Sequence, residues 1–268
     1  GYVGADHVAM LLATRIAERD GITLAIDIGT NTEICLNRHG RMKSVSCASG
    51  PAFEGAHIEF GMRAAQGAIE HVRLSGDRLE IQTIGGVAPV GICGSGLLDG
   101  IAQMLNSGVI DASGRMQDHP LVRKRNGRRE FVLAQRPGES DITISQKDVR
   151  ELQAAKAAIR LGIQALIDDA GITENDIDRV IIAGAFGTFI DVQSAIEIGM
   201  LPALPLERFQ QVGNAAGTGA RMALISKEMR RAALEIAERD GYVELACIPD
   251  FNERFAAASN LGAELQPV

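Results

Sequence analysis

The chain has 268 residues, 46% hydrophobic and 23% charged, the composition of a soluble globular protein able to bury one large core or two modest ones. A net charge of −7, no Trp and only two Tyr argue against a phosphate-backbone binder and a base-stacking platform, so no nucleic-acid partner is expected. Cys35, Cys47, Cys93 and Cys247 form no C-x-x-C pair, which fits reduced thiols in a cytoplasmic protein, and no apolar run is long enough to enter a membrane.

Asp6 is placed to cap a helix through Val8, Met10, Leu11, Leu12 and Ile16 that closes at Asp20-Gly21. An apolar strand from Thr23 to Ile28 runs into Gly29-Thr30-Asn31-Thr32. Strands at Glu33 to Leu36 and Met42 to Cys47 follow, making an antiparallel meander. Glu54 to Ala65 reads as a helix with Ile58, Met62 and Ala65 on one face, and Ile69 to Ile84 as a hairpin. Gly91 to Gly96 opens a helix through Leu97, Leu98 and Ile101.

The stretch 108–143 is turn-rich and reads as a peripheral hairpin. Arg123-Lys124-Arg125 and Arg128-Arg129 near its tip read as a solvated cluster, with docking to an acidic partner as the alternative. Ser145 and Asp148 have capping-box spacing before a long helix to Ala170. A strand at Val180 to Ala183, a helix near Val192 to Ile198 and a short strand near Val212 come next. One helix from Ala215 to Ala237, a strand at Tyr242 to Ala246 and a helix from Phe251 complete the pattern. A meander followed by β/α units predicts an α/β fold with a mixed sheet.

Three segments carry candidate chemistry. In Asp27-Ile28-Gly29-Thr30-Asn31-Thr32 a carboxylate at a strand end precedes a small turn, which suits a phosphate and its Mg²⁺. Gly29 lets amides face the anion, Thr30 and Thr32 add hydroxyls, and Asp27 can hold the metal through water. A hairpin whose Asp and Thr merely cap the turn is the alternative. Gly91 to Gly96, with Gly94 and Ser95 at a helix start, is either an anion site or a tight packing turn. In Ala183-Gly184-Ala185-Phe186-Gly187, small residues at a strand's carboxyl end leave room for a flat ligand such as adenine, or serve ordinary strand-to-helix packing.

The order of these segments resembles the actin/sugar-kinase/heat-shock-chaperone superfamily. Within it, Ser49-Gly50-Pro51-Ala52-Phe53-Glu54-Gly55-Ala56, Gly91 to Gly96, Ser145 to Gln153 and Ala183 to Thr188 resemble the reductive activators of corrinoid proteins. The resemblance implies a ribonuclease H-like, actin-like ATPase lobe over 22–268, with residues 1–21 as the helix from a preceding first lobe and an insertion at about 108–143. It implies ATP and Mg²⁺ as ligands and a corrinoid protein as partner. A ferredoxin domain carrying a 2Fe-2S cluster, elsewhere in the same polypeptide and absent from this chain, would supply the electron. The family's first phosphate loop is also expected before Gly1, which makes Asp27 to Thr32 the second loop.

The superfamily also implies a catalytic candidate, since bacterial actins use a Glu just after this loop to position water. Here Glu33 follows a loop one residue shorter, and a solvent-facing carboxylate is the alternative. Cys93 resembles the cluster ligand of 2-hydroxyacyl-CoA dehydratase activators, for which a homodimer would be needed; a buried thiol is the other reading. A sugar-kinase-like phosphotransferase and a non-catalytic actin-like interaction module are the alternative functions.

Overall fold

A computed structural model describes residues 3–262. In chain order it has α1 (Ala5–Thr14), β1 (Ile22–Asp27), β2 (Thr32–Arg38), β3 (Arg41–Cys47), β4 (Ala68–Ser75), β5 (Arg78–Thr83) and β6 (Gly91–Ile92). Next come α2 (Gly94–Asn106), β7 (Val122–Arg125), β8 (Arg128–Ala134), β9 (Ile142–Ser145), α3 (Gln146–Ala170), β10 (Arg179–Ala183) and α4 (Val192–Glu197). The last are β11 (Phe209–Gly213), α5 (Ala215–Ile225), α6 (Lys227–Arg239), β12 (Gly241–Tyr242) and α7 (Phe251–Ser259). These elements make two compact units. The first takes the residues up to Ala48, Ile159–Phe189 and Pro202–Arg254; the second takes Ser49–Ala158, Ile190–Leu201 and the residues from Phe255.

The first unit is built on a six-stranded sheet in the order β11-β10-β1-β2-β3-β12. The meander β1-β2-β3 is antiparallel, while β10 and β11 add in parallel beside β1. This is the expected mixed sheet. The central strand is buried on both faces: Leu24, Ala25 and Ile26 are fully enclosed, which is why its sequence is an unbroken apolar run.

Paired registers divide the sheet into two faces. Ala25, Cys35 and Ile181 lie under α1, in one core with Met10, Leu11 and Ile16. Ile34, Val45 and Cys47 point the other way, onto α3 at Gly162, where an added Cβ would sit 2.3 Å from Cys47 Sγ. Burial pushes the Cys47 thiol up to about 12, leaving it inert as a nucleophile. On the α1 side, α5 crosses so closely that a Cβ on Gly219 would lie 1.8 Å from the Ala9 carbonyl oxygen.

The second unit has two three-stranded sheets, β5-β4-β6 and β7-β8-β9. The expected box at Ser145 is present: Asp148 Oδ2 accepts from Ser145 N and Oγ, and Asp148 N donates back to Ser145 Oγ at 3.2 Å. Lys156, fully buried on α3, donates to the carbonyls of Ala258 and Asn260, and Gln153 Nε2 donates to that of Ser259. The carbonyls left open at the end of α7 are thus met from the core.

Several expected elements differ. The first helix stops at Thr14, where Arg15 takes a left-handed conformation, and Gly4 rather than Asp6 stands at its N-cap. Gly21 instead turns the chain into β1, beside Asp178, which accepts from Ile22 N. Glu54 to Ala65 is not a helix. Gly55 and His57 have positive φ, and Met62 N and the Phe60 carbonyl pair with Ile92, so the segment lies extended beside β6. The helix expected from Ala215 to Ala237 is two, because Ser226 is extended and its hydroxyl caps Met229 N. Tyr242 to Ala246 keeps only the two-residue β12 before a 3-10 turn at Leu245–Cys247. The hairpin expected in 108–143 gains a third strand, β9.

Gly219→Ala is expected to lower thermal stability. Overpacking against an immovable backbone costs about 1–3 kcal/mol, more than the ~1 kcal/mol that alanine contributes through helix propensity. Denaturant unfolding checks the sign; a stabilised variant would show that α1 and α5 do not approach at this point.

Candidate functional site

Three parallel strands of the first unit, β1, β10 and β11, end at one edge of the sheet, in Asp27, Ala183 and Gly213. Open α/β sheets bind ligands at such carboxyl ends. Backbone bonds fasten the edge: Ile28 N donates to the Ala183 carbonyl at 3.1 Å, and Gly184 N to that of Gly213 at 3.0 Å. Gln211 Nε2 donates to the Gly187 carbonyl at 2.8 Å. Asn214 caps α5, accepting from Gly217 N at 2.7 Å.

Asp27 and Gly184 meet at this edge. Gly184 has φ +94, and a Cβ there would lie 2.4 Å from the Ile28 carbonyl oxygen and 2.9 Å from Asp27 Oδ1. Only glycine allows the backbone to approach Ile28 and Asp27 so closely in that conformation. A Cβ on Gly187 would likewise run into the Ala183 carbonyl oxygen, at 2.3 Å. Thr30, Asn31 and Ala185 are exposed and Phe186 is half-buried. Thr32 is buried, its hydroxyl 3.4 Å from the Gly29 carbonyl, which closes the turn between β1 and β2.

Glu33 stands directly across from Asp27 in the β1–β2 register, and Ser46 across from Glu33. Ala183, Asp27, Glu33 and Ser46 therefore form one row on one face. Ser46 Oγ donates to Glu33 at 3.2 Å. Burial raises the Asp27 carboxyl above its ordinary range; His7 opposes the shift and Asp6 adds to it. Burial likewise raises Glu33, with Ser46 and His7 opposing and Asp6 and Asp27 adding. Two half-buried carboxylates on paired strands, each with its charged form disfavoured by burial, suit a neighbouring cation.

The donors fit Mg²⁺ in kind. They are hard oxygens, the kind of ligand that magnesium takes together with water and phosphate. Cys35 and Cys47 are buried on β2 and β3 of the first unit; Cys93 is buried at the start of α2 in the second, its Sγ 3.2 Å from the Ile69 carbonyl oxygen.

Gly94 and Ser95 open α2 in the second unit and are buried. A Cβ on the adjacent Gly96 would lie 2.1 Å from the Ile69 carbonyl oxygen, so α2 rests on β4. A further group escaped the sequence reading. His7 Nε2 lies 2.8 Å from Ser44 Oγ, which donates to Asp240 Oδ1 at 2.9 Å, all within the first unit. Only its polar residues on apolar faces signalled it, and their partners are far away in sequence.

Residues 21–267 match the family described as the C-terminal domain of RACo, the ASKHA domain. The chain belongs to this family. The RACo-type ASKHA domain is an actin-like ATPase fold, so nucleotide binding belongs to the family's architecture. A solved reductive activator for corrinoid, iron-sulfur protein superposes with a TM-score of 0.90 at 42% identity, over 97% of this chain and 43% of that one. The corrinoid activation enzyme RamQ of Eubacterium limosum is 38% identical over 98% of this chain and 46% of its own length. A [Co(II) methylated amine-specific corrinoid protein] reductase of Methanosarcina barkeri is 30% identical over 88% and 45%. The RACo-type domain thus spans a little under half the length of these relatives. Among the described residues no helix is long and apolar enough to cross a membrane.

A carboxyl raised by folding contributes stability below its ordinary pKa, 3.8 for Asp27, and loses it as pH rises through the folded value. Asp27→Asn is therefore expected to melt higher than the unsubstituted protein near neutral pH, with the gain vanishing as pH falls to that range. Melting curves across pH check this; no gain at neutral pH would mean that Asp27 makes stabilising contacts that offset its burial.

Proposed function

We propose that this chain is the ATP-binding and hydrolysing part of a reductive activator of Co(II) corrinoid proteins. The observation that carries the reading is the close meeting of Asp27 with the left-handed Gly184 at the carboxyl edge of three parallel strands. In it, Gly29, Thr30 and Asn31 face phosphate through amides and the Thr30 hydroxyl, Thr32 closes the turn that presents them, and Asp27 holds Mg²⁺ through water. Gly184, Ala185, Phe186 and Gly187 border the nucleoside. Glu33, across from Asp27 and held by Ser46, orients the attacking water. Gly94 and Ser95 act in packing, because the helix they open lies hard against β4.

The relatives' names support the corrinoid protein as partner. In this proposal their additional length houses a ferredoxin domain and a first actin-like lobe, with residues 1–21 joining the lobes. Nucleotide hydrolysis supplies driving force and no electron, so cobalt reduction depends on both parts of the polypeptide.

In the full-length protein, Asp27→Ala is expected to abolish ATP-stimulated cobalt reduction and leave the ferredoxin spectrum unchanged. Gly184→Ala is expected to weaken Mg·ATP binding by at least about tenfold, since a Cβ costs backbone strain and displaces the Ile28 carbonyl and the Asp27 carboxylate. Anaerobic visible spectroscopy of the corrinoid, with and without ATP, reads the first effect, and calorimetry the second. Cobalt reduction by Asp27→Ala at the unsubstituted rate would favour the interaction-module alternative.

A further inference from the structure

The hairpin β7–β8 in the second unit turns at Asn126-Gly127, both with positive φ, which is the tightest kind of two-residue hairpin turn. Its register sets Arg125 across from Arg128 and Lys124 across from Arg129. Like charges directly opposite on an antiparallel pair repel at close range and destabilise it. Of these four, Arg129 is compensated, by Asp118 at 2.9 Å. Among the described residues Lys124, Arg125 and Arg128 have no ion pair, and all three are exposed.

The base of the hairpin is built differently. Arg123 is held by Glu130 at 2.6 Å and Asp141 at 2.5 Å. Arg136 is held by Glu139 and the Ser140 carbonyl and lies over the Phe60 ring. An open recess of about 640 Å³ adjoins it, lined by Arg123, Arg125, Arg136 and the loop 138–141. Between Arg123 and Asp141 the chain carries six basic residues against three acidic, in a protein whose net charge is −7. A rigid turn, two like-charge cross-strand pairs and a fixed base together hold positive charge out from an acidic molecule, at a cost in stability that the Arg129–Asp118 ion pair offsets only in part.

We propose that this hairpin tip docks an acidic surface of a partner protein, and that the partner is the corrinoid protein. Naming the partner rests on the function proposed above; the charge argument does not. The tip has no aromatic residue to stack on bases or sit in a lipid headgroup layer, which favours a protein over a nucleic acid or a membrane. Complementary charge of this kind speeds and orients encounter and is weakened by salt.

The test uses the full-length protein, its Arg125→Glu/Arg128→Glu variant and the purified corrinoid protein, with binding read by biolayer interferometry and reduction read separately. The variant is expected to bind at least about tenfold more weakly at low ionic strength, with the difference shrinking in 0.5 M NaCl by roughly the amount that screening predicts. It should melt no lower than the unsubstituted protein, because one like-charge pair replaces another and the flanking Lys124 and Arg129 gain neighbours of opposite charge. Its ATP affinity should be unchanged. Equal binding by the two proteins, no binding by the unsubstituted protein, or a loss confined to anionic vesicles or single-stranded DNA would overturn the proposal. Binding without ATP-stimulated reduction would sink the function proposed above and leave the docking role standing; reduction with equal binding would do the reverse.

Discussion

Two helices can touch backbone to backbone only where no side chain stands between them, and Gly219 provides that opening. With α5 drawn against the Ala9 carbonyl, α1 is fixed over one face of the six-stranded sheet. It covers Ala25, Cys35 and Ile181 completely. The next row along the same face, Asp27 and Glu33, is left only half covered. Both electrostatic features of the edge follow from this placement: carboxylates buried enough to resist ionisation, and Asp6 and His7 of α1 near enough to shift them in opposite directions. Ser44, one row in from Ser46, takes up His7, and Asp240 closes the group from beyond the end of α6. The seat of one helix therefore sets the charge state available at the edge.

That arrangement trades stability for readiness. A row of apolar residues at the strand ends would fold more firmly and hold nothing. Gly184, left-handed and pressed against the Ile28 carbonyl, and Asp27, desolvated beside Glu33, are both locally unfavourable choices, and such choices gather where a ligand is to be received. The hairpin tip at Asn126-Gly127 shows the same signature in another unit, with charge repulsion in place of desolvation. The two places have no strained element in common, so each can be altered without the other.

What the sequence makes legible follows the range of the forces involved. The capping box at Ser145 and Asp148 is a contact three residues long, and its pattern is visible in the letters themselves. The central strand announces itself by an unbroken apolar run, and Asp27 by ending it. The stretch from Glu54 to Ala65 misleads because Ile58, Met62 and Ala65 have helical spacing, while the decisive pairing is with Ile92, some thirty residues on. Gly91 to Gly96 admits an anion site or close packing until the Ile69 carbonyl is seen beside Gly96. Lys156 is hidden altogether: a lysine in the middle of a long helix reads as a solvent residue, and its partners lie about a hundred residues further on.

The fastening of α7 by Lys156 has a bearing on how the molecule is made. Ala258 and Asn260 are among the last described residues, yet they complete a unit that begins at Ser49. The first unit is divided too, drawing on the residues up to Ala48 and again on Pro202–Arg254. During translation, then, the ribosome emits parts of both units long before either has its closing pieces. A buried ammonium on α3 waits without its carbonyls until the end of the second unit emerges. Protection of that lysine from chemical acylation should appear late in synthesis, in step with the arrival of α7 rather than with the formation of α3.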